Sequence, residues 1–223
     1  MPSDGRIGPS VRLGWLARLT GEALALYVRL VAATCRVTGP ITRDQVILAF
    51  WHELNLAVFV VAYKRRGDLP HASFSTEGFR GIVITTLFLR LAPQGRVLPL
   101  PPESDRAAGR DLALRLGRLG EAGYSMVVTP DGPFGPYRVA KPGALIVARA
   151  SGLPIVPWAI VVRPAFRLRR RWDRQLVPLP FCRLRVVAGP QIQVPARERL
   201  SRRLPDLQNA LDLISEQADR RQP

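Results

Sequence analysis

The chain has 223 residues, enough for one α/β domain that buries roughly 70% of the surface its unfolded form exposes and too few for a second full domain. Its apolar content of 47% and charged content of 22% exclude both a disordered chain and a bundle of membrane spans. The formal net charge of +16 is almost wholly arginine, since Lys64 and Lys141 are the only lysines. That suits a phosphate-bearing partner without choosing among nucleic acid, anionic lipid and coenzyme A. Cys35 and Cys182 are too few for a disulfide framework or a zinc site, and the cytoplasmic side is the default expectation. No stretch reaches the roughly 18 uncharged apolar residues of a spanning helix, and no basic n-region precedes a clean apolar run, so neither secretion nor a transmembrane helix is expected.

The first predicted element is a helix over 13–37. Its charges Arg18, Glu22, Arg29 and Arg36 follow at spacings of four, seven and seven, which puts them on one stripe of an otherwise apolar cylinder. Such a helix needs burial beneath the rest of the domain or in the headgroup region of a bilayer. From Asp44 onwards, short apolar runs alternate with amphipathic stretches. Strands are predicted at 45–51, 72–75, 97–100, 124–129, 155–162 and 184–188. Helices are predicted at 54–64, 77–92, 106–122 and 143–151, with a polar C-terminal helix over 205–220 that takes Pro205 in its first turn. The alternation implies a single α/β domain with a largely parallel central sheet flanked by helices and preceded by an apolar N-terminal helix. Ligands then gather at the carboxyl ends of the strands. The expected organisation is a tail and membrane-associating helix in 1–37, the α/β domain in 38–195, and a polar helix and tail in 196–223, with residues 221–223 as a frayed end.

Three loops at strand ends hold the unusual residues. In the first, the apolar run VILAFW ends in His52, which points off a strand end into the expected crevice and can act as a general base near neutral pH. In the second, 73–78, Ser75 or Thr76 can cap the next helix. Glu77 in its first turn either answers the helix dipole or orients His52 as a carboxylate does in a triad. The third, TPDGPFGP at 129–136, has two glycines and three prolines and is followed by Arg138 and Lys141 just before a helix start. Cations and a helix N-terminus converging there suit a phosphate.

The runs FWH at 50–52, YSMVVTPDGPFGP at 124–136, KPGALIVARASGLPIVPWAI at 141–160 and WDRQLVPLPF at 172–181 together resemble the lysophospholipid acyltransferase superfamily. The branch they are most similar to is bacterial, named only as a domain of unknown function, and related to lipid A acyltransferases. The resemblance covers about residues 38–195. It implies an O-acyltransferase without a bound cofactor. Such an enzyme moves a fatty acyl group from an acyl-CoA or acyl-carrier-protein thioester to a hydroxyl of a lysophospholipid or lipid A-like acceptor. It also implies a peripheral location on the cytoplasmic face of the inner membrane, against anionic lipid.

In that reading His52 is the base, Glu77 and Asp131 are the candidate catalytic acids, and Asp131, Gly132, Arg138, Lys141 and Arg80 contact substrate. The family commonly places an acid five residues after the histidine, where this chain has Ala57. Three consequences stay open: Glu77 or Asp131 reaches His52 through the fold, catalysis proceeds without a carboxylate, or the scaffold serves a non-catalytic lipid binder. The segment 98–111 also lacks the glycine- and serine-rich turn expected after its strand. A nucleic-acid partner is motivated by Arg167, Arg169, Arg170, Arg171 and Arg174, yet that cluster has only Trp172 among it to stack on bases and carries no recognition motif. A basic patch beside an apolar strand suits anionic lipid better.

Overall fold

The computed structural model describes residues 9–66, 68–100 and 106–220. Residues 101–105, part of the segment expected to lack an acceptor-binding turn, and 221–223, expected to fray, lie outside the described residues. In chain order the elements are α1 (Pro9–Thr34), β1 (Arg36–Thr38), β2 (Ile47–Ala49), a short 3-10 turn (His52–Leu54), α2 (Asn55–Arg66), β3 (His71–Ser75), α3 (Gly78–Leu91) and β4 (Arg96–Pro99). They continue with α4 (Arg106–Glu121), β5 (Ser125–Val128), α5 (Gly143–Ser151), β6 (Ile155–Arg167), β7 (Leu176–Ala188) and α6 (Leu200–Arg220).

The seven strands form one sheet in the order β1-β7-β6-β2-β5-β3-β4. Strands β2 to β6 run parallel, while β7 returns antiparallel to β6 and carries β1 parallel to itself at the edge. This is a single α/β domain with a mostly parallel sheet between two helical layers. One apolar layer joins the sheet to α1, α2 and α3 through Val28, Val31, Leu48, Val61, Leu87 and Leu184. The other joins it to α4, α5 and α6 through Ile47, Leu116, Met126, Leu145, Leu207 and Leu211. Strand β2, at the centre, is buried on both faces, which is why it reads as an unbroken apolar run rather than an alternating one.

Several expectations change here. Helix α1 ends at Thr34, so Arg36 leaves the predicted charge stripe and opens β1, a strand not expected from the sequence. One face of α1, including Ala17, Ala25, Val28 and Val31, is buried, and Glu22 pairs with Arg90 of α3 at 2.6 Å. The other face leaves Leu13, Leu16, Leu19, Leu26 and Leu30 exposed. No helix among the described residues is long and apolar enough to cross a membrane. Strands β6 and β7 are each 13 residues long and extend well past the predicted 155–162 and 184–188 into the arginine-rich stretch, which forms a projecting hairpin. Its outer ends alternate between exposed and half-buried residues, so composition alone resembles a loop. Helix α6 starts at Leu200, placing Pro205 inside it rather than in the first turn, and its stripe of Leu207, Leu211, Ile214 and Ala218 makes it amphipathic rather than polar.

His71, the second histidine, is a structural residue at the start of β3. It is buried, donates from Nδ1 to the Leu69 carbonyl at 2.7 Å and accepts from Arg66 Nε at 3.2 Å. Burial, and then the Arg66 charge, push its pKa down from 6.5 to about 4. The unfolded chain therefore binds a proton below pH 6.5 that the folded chain refuses until about pH 4. Stability from this group is complete above pH 6.5 and declines as pH falls through that window, by about 3 kcal/mol in all. Urea unfolding of wild type and His71→Gln at pH 7, 5.5 and 4.5 measures this. The difference between the two proteins should shrink steadily toward acid, and a constant difference would contradict the assignment.

Candidate active site

The site is built by strand register. Strand β2 pairs in parallel with β5, with Ala49 opposite Val128. Three residues beyond each, at the carboxyl ends of these central strands, His52 and Asp131 emerge side by side although they are 79 positions apart. The imidazole Nδ1 lies 2.8 Å from Asp131 Oδ1. The backbone N–H of His52 also donates to Asp131 Oδ1 at 3.1 Å, and the Arg138 N–H reaches Oδ2 at 3.4 Å. Asp131 is fully buried. A carboxylate only accepts, so Nδ1 carries the ring proton and Nε2 presents its lone pair. Thr129 Oγ1 stands 3.1 Å from that Nε2.

Two glycines shape the floor beneath the rings. A Cβ on Gly132 would fall 2.0 Å from His52 Cε1, so only glycine lets the imidazole lie against the loop. Gly135, at φ +80°, plays the same part for Trp172: a Cβ there would sit 2.8 Å from the indole. The Trp172 ring comes from the β6–β7 hairpin and covers His52 with centroids 5.1 Å apart. The imidazole keeps a narrow opening, its side chain 14% exposed.

Beside this pair lies a charged hub. Glu53, the residue directly after His52, is 1% exposed and gathers four partner residues. Its carboxylate accepts from Arg138 Nε at 2.7 Å and from the Tyr137 hydroxyl at 2.9 Å, and it forms ion pairs with Arg138 and Arg167. Its backbone carbonyl accepts from Gln175 Nε2 at 2.8 Å. Burial opposes the charge on Arg138, but Glu53 outweighs it and raises the pKa. Burial followed by the Glu53 charge raises that of the Tyr137 phenol, which keeps its donor proton. At the hairpin tip, burial would raise the pKa of Asp173, yet Arg171 binds both carboxylate oxygens, at 2.7 and 2.8 Å, and holds it low.

Of the residues expected at the site, His52, Asp131 and Gly132 are brought into contact. Asp131 is fully buried, with its carboxylate against the His52 ring. Glu77 is exposed at the N-cap of α3, makes no side-chain cap bond, and is not among the partners of His52. Ser75, one of the two expected caps, instead bonds the carbonyls of Thr76 and Gly81 at 3.2 and 3.1 Å. Arg80 lies exposed on α3. Arg138 spends its guanidinium on Glu53 rather than offering it to an anion. Lys141 is half-buried, its backbone N–H on the Pro130 carbonyl at 2.8 Å, and its ammonium has no ion pair among the described residues. Sequence reasoning passed over Thr129, Glu53, Tyr137 and Gln175. The available signal was that Thr129 and Asp131 both follow directly on the buried strand β5, in the glycine-proline loop at its carboxyl end.

The fold and site define an α/β protein with a carboxylate-held histidine at the carboxyl edge of its sheet. No protein-family model matches the chain. It is similar to a protein of Rickettsia prowazekii (strain Madrid E) named only as uncharacterized, at 31% identity over 87 residues. The matched part is 38% of this chain and 39% of that protein, so the likeness spans well under half of either.

Gly132→Ala should fold, because the clash is with one movable ring, yet displace the imidazole from Asp131. A crystal structure or histidine NMR spectrum of the variant should show His52 in a new position, and an unmoved ring would contradict the packing argument.

Proposed function

We propose that the protein is an O-acyltransferase acting on an acyl thioester and a hydroxyl-bearing lipid. The observation that carries this reading is the ordered line Asp131 Oδ1, His52 Nδ1, His52 Nε2, Thr129 Oγ1, with spacings of 2.8 and 3.1 Å. The Thr129 contact supports the reading, because a hydroxyl oxygen fits within hydrogen-bond distance of Nε2. In the proposed reaction the acceptor hydroxyl replaces that contact, gives its proton to Nε2 and attacks the thioester carbonyl. The tetrahedral intermediate then collapses, the carbon–sulfur bond breaks, and the departing sulfur takes the proton back from Nε2. Asp131 offsets the imidazolium charge while it exists and preserves the required tautomer.

Ala57 gave the best reason for a non-catalytic lipid binder. With Asp131 against the imidazole, an acid at position 57 is not needed to orient the base, and that reason falls away. Lys141, the unpaired cation next to the loop, is the residue proposed to meet an acceptor phosphate. The exposed leucines of α1 and the exposed Phe166 and Leu168 beside Arg169 and Arg170 support a peripheral position on an anionic membrane surface.

Purified protein incubated with labelled acyl-CoA or acyl-carrier protein and a panel of lysophospholipids should transfer the acyl group. His52→Ala should lower kcat by at least about a hundredfold, and Asp131→Asn should do so with little change in KM. Equal transfer by wild type and His52→Ala would overturn the assignment.

A further inference from the structure

The proposed reaction gives Thr129 no task of its own, yet its surroundings are those of a reactive group. It follows β5 directly and is half-buried. A turn closed by the Gly132 N–H on the Thr129 carbonyl at 3.1 Å, with Pro130 at its second position, fixes Thr129 and Asp131 relative to one another. The two side chains then meet the two nitrogens of one imidazole. With the ring proton on Nδ1 and given to Asp131, Nε2 accepts, so the Thr129 hydroxyl is the donor across their 3.1 Å contact. A hydroxyl is a weak nucleophile near neutral pH. It becomes an effective one when a base lies within hydrogen-bond reach and a third group orients that base, and here the third group is a buried carboxylate 2.8 Å behind the ring.

Other candidate nucleophiles are occupied or inert. Ser75 Oγ bonds the Thr76 and Gly81 carbonyls, and Ser125 Oγ lies 3.0 Å from Arg66 Nη2. Cys35 and Cys182 are buried in the apolar layer shared with α1. Burial raises the pKa of both thiols, that of Cys182 to about 11, so neither offers a thiolate near neutral pH. Among the described residues, Thr129 carries the only hydroxyl bonded to His52.

We infer that Thr129 Oγ1 is a nucleophile, and that with no acceptor hydroxyl in place the protein moves an acyl group onto this residue and then to water. In the first half Oγ1 gives its proton to Nε2 and attacks the carbonyl carbon of a thioester or activated ester. The bond to the leaving sulfur or oxygen breaks, the leaving group takes the proton from Nε2, and an acyl-threonine ester remains. In the second half a water, or an acceptor hydroxyl, gives its proton to Nε2 and attacks that ester. The bond to Oγ1 breaks and Oγ1 recovers the proton. A thioester donor rests on the acyltransferase reading, whereas acylation of Thr129 by an activated ester does not.

The test uses the full-length protein with p-nitrophenyl butyrate and no lipid. Rapid mixing should release about one equivalent of p-nitrophenolate before a slower steady hydrolysis. Peptide mass spectrometry after acid quenching should place the butyryl group on Thr129, and octanoyl-coenzyme A should leave an octanoyl group on the same residue. Thr129→Val, which keeps the branched shape, should show neither burst nor label and slow the steady hydrolysis by at least about a hundredfold, while unfolding as cooperatively as wild type. Thr129→Ser should keep burst and label, and His52→Ala should lose both. A threonine that only steadies the ring would change the rate without ever carrying the label. The inference is overturned if quenched wild-type protein carries no acyl group from the ester, if the group lies on another residue, or if Thr129→Val keeps the burst. Thr129 labelled by the ester, but with no label from octanoyl-coenzyme A and no transfer to any lysophospholipid, would count against the acyltransferase reading and leave a hydrolase. Transfer to a lysophospholipid with Thr129 unlabelled would do the reverse.

Discussion

The parallel pairing of β2 with β5 is the constraint on which the rest depends. With Ala49 opposite Val128, the two chains leave the sheet in step, and the third residue on each side is the histidine or its carboxylate. A shift of the pairing by a single residue would point the side chains to opposite faces and break the contact. The register is fixed by burial, because Ile47, Leu48, Ala49 and Met126 are wholly enclosed and have nowhere else to go. The chemistry of the site thus draws its precision from the most rigid part of the core, while the loop beyond β5 only has to bring glycine where the ring comes down.

Around that pair, charge does the work that apolar packing does elsewhere. Glu53 is buried beside the base yet costs little, because two guanidinium groups and a phenol satisfy its carboxylate. Arg138 belongs to the loop after β5 and Arg167 to the end of β6, so one side chain ties its own turn to two other segments of chain at the sheet edge. Gln175 adds the hairpin tip through the Glu53 carbonyl, and Trp172 then lies over the imidazole. The projecting hairpin becomes a roof for the site rather than a free arm.

The alternation of apolar runs and amphipathic stretches made the α/β architecture legible, and α5 has the bounds its pattern suggested. The buried strand ending in histidine and the glycine-proline loop were legible as places of interest for the same reason. Strand pairing was not readable, since nothing local in TPDGP says that its strand lies between the strands ending in FWH and SFSTEG, or which of the two sends a side chain to Asp131. Asp131 and Glu77 therefore stood equal as acids until the register separated them. Glu53 was missed because adjacency in sequence suggests divergence, whereas the 3-10 turn at His52–Leu54 turns it inward to meet arginines that are 85 and 114 positions away. The outer halves of β6 and β7 were missed because arginine-rich alternation with little apolar content looks like loop until a partner strand supplies the hydrogen bonds.

The central claim is that Asp131 fixes the His52 imidazole with its proton on Nδ1 and its lone pair on Nε2. Nitrogen-15 NMR of the histidine side chains near neutral pH reads this directly. In wild type the His52 signals should show a protonated Nδ1 and an unprotonated Nε2, and in Asp131→Asn that preference should be lost. A wild-type ring protonated on Nε2, or a tautomer mixture that does not change when Asp131 is replaced, would contradict the account.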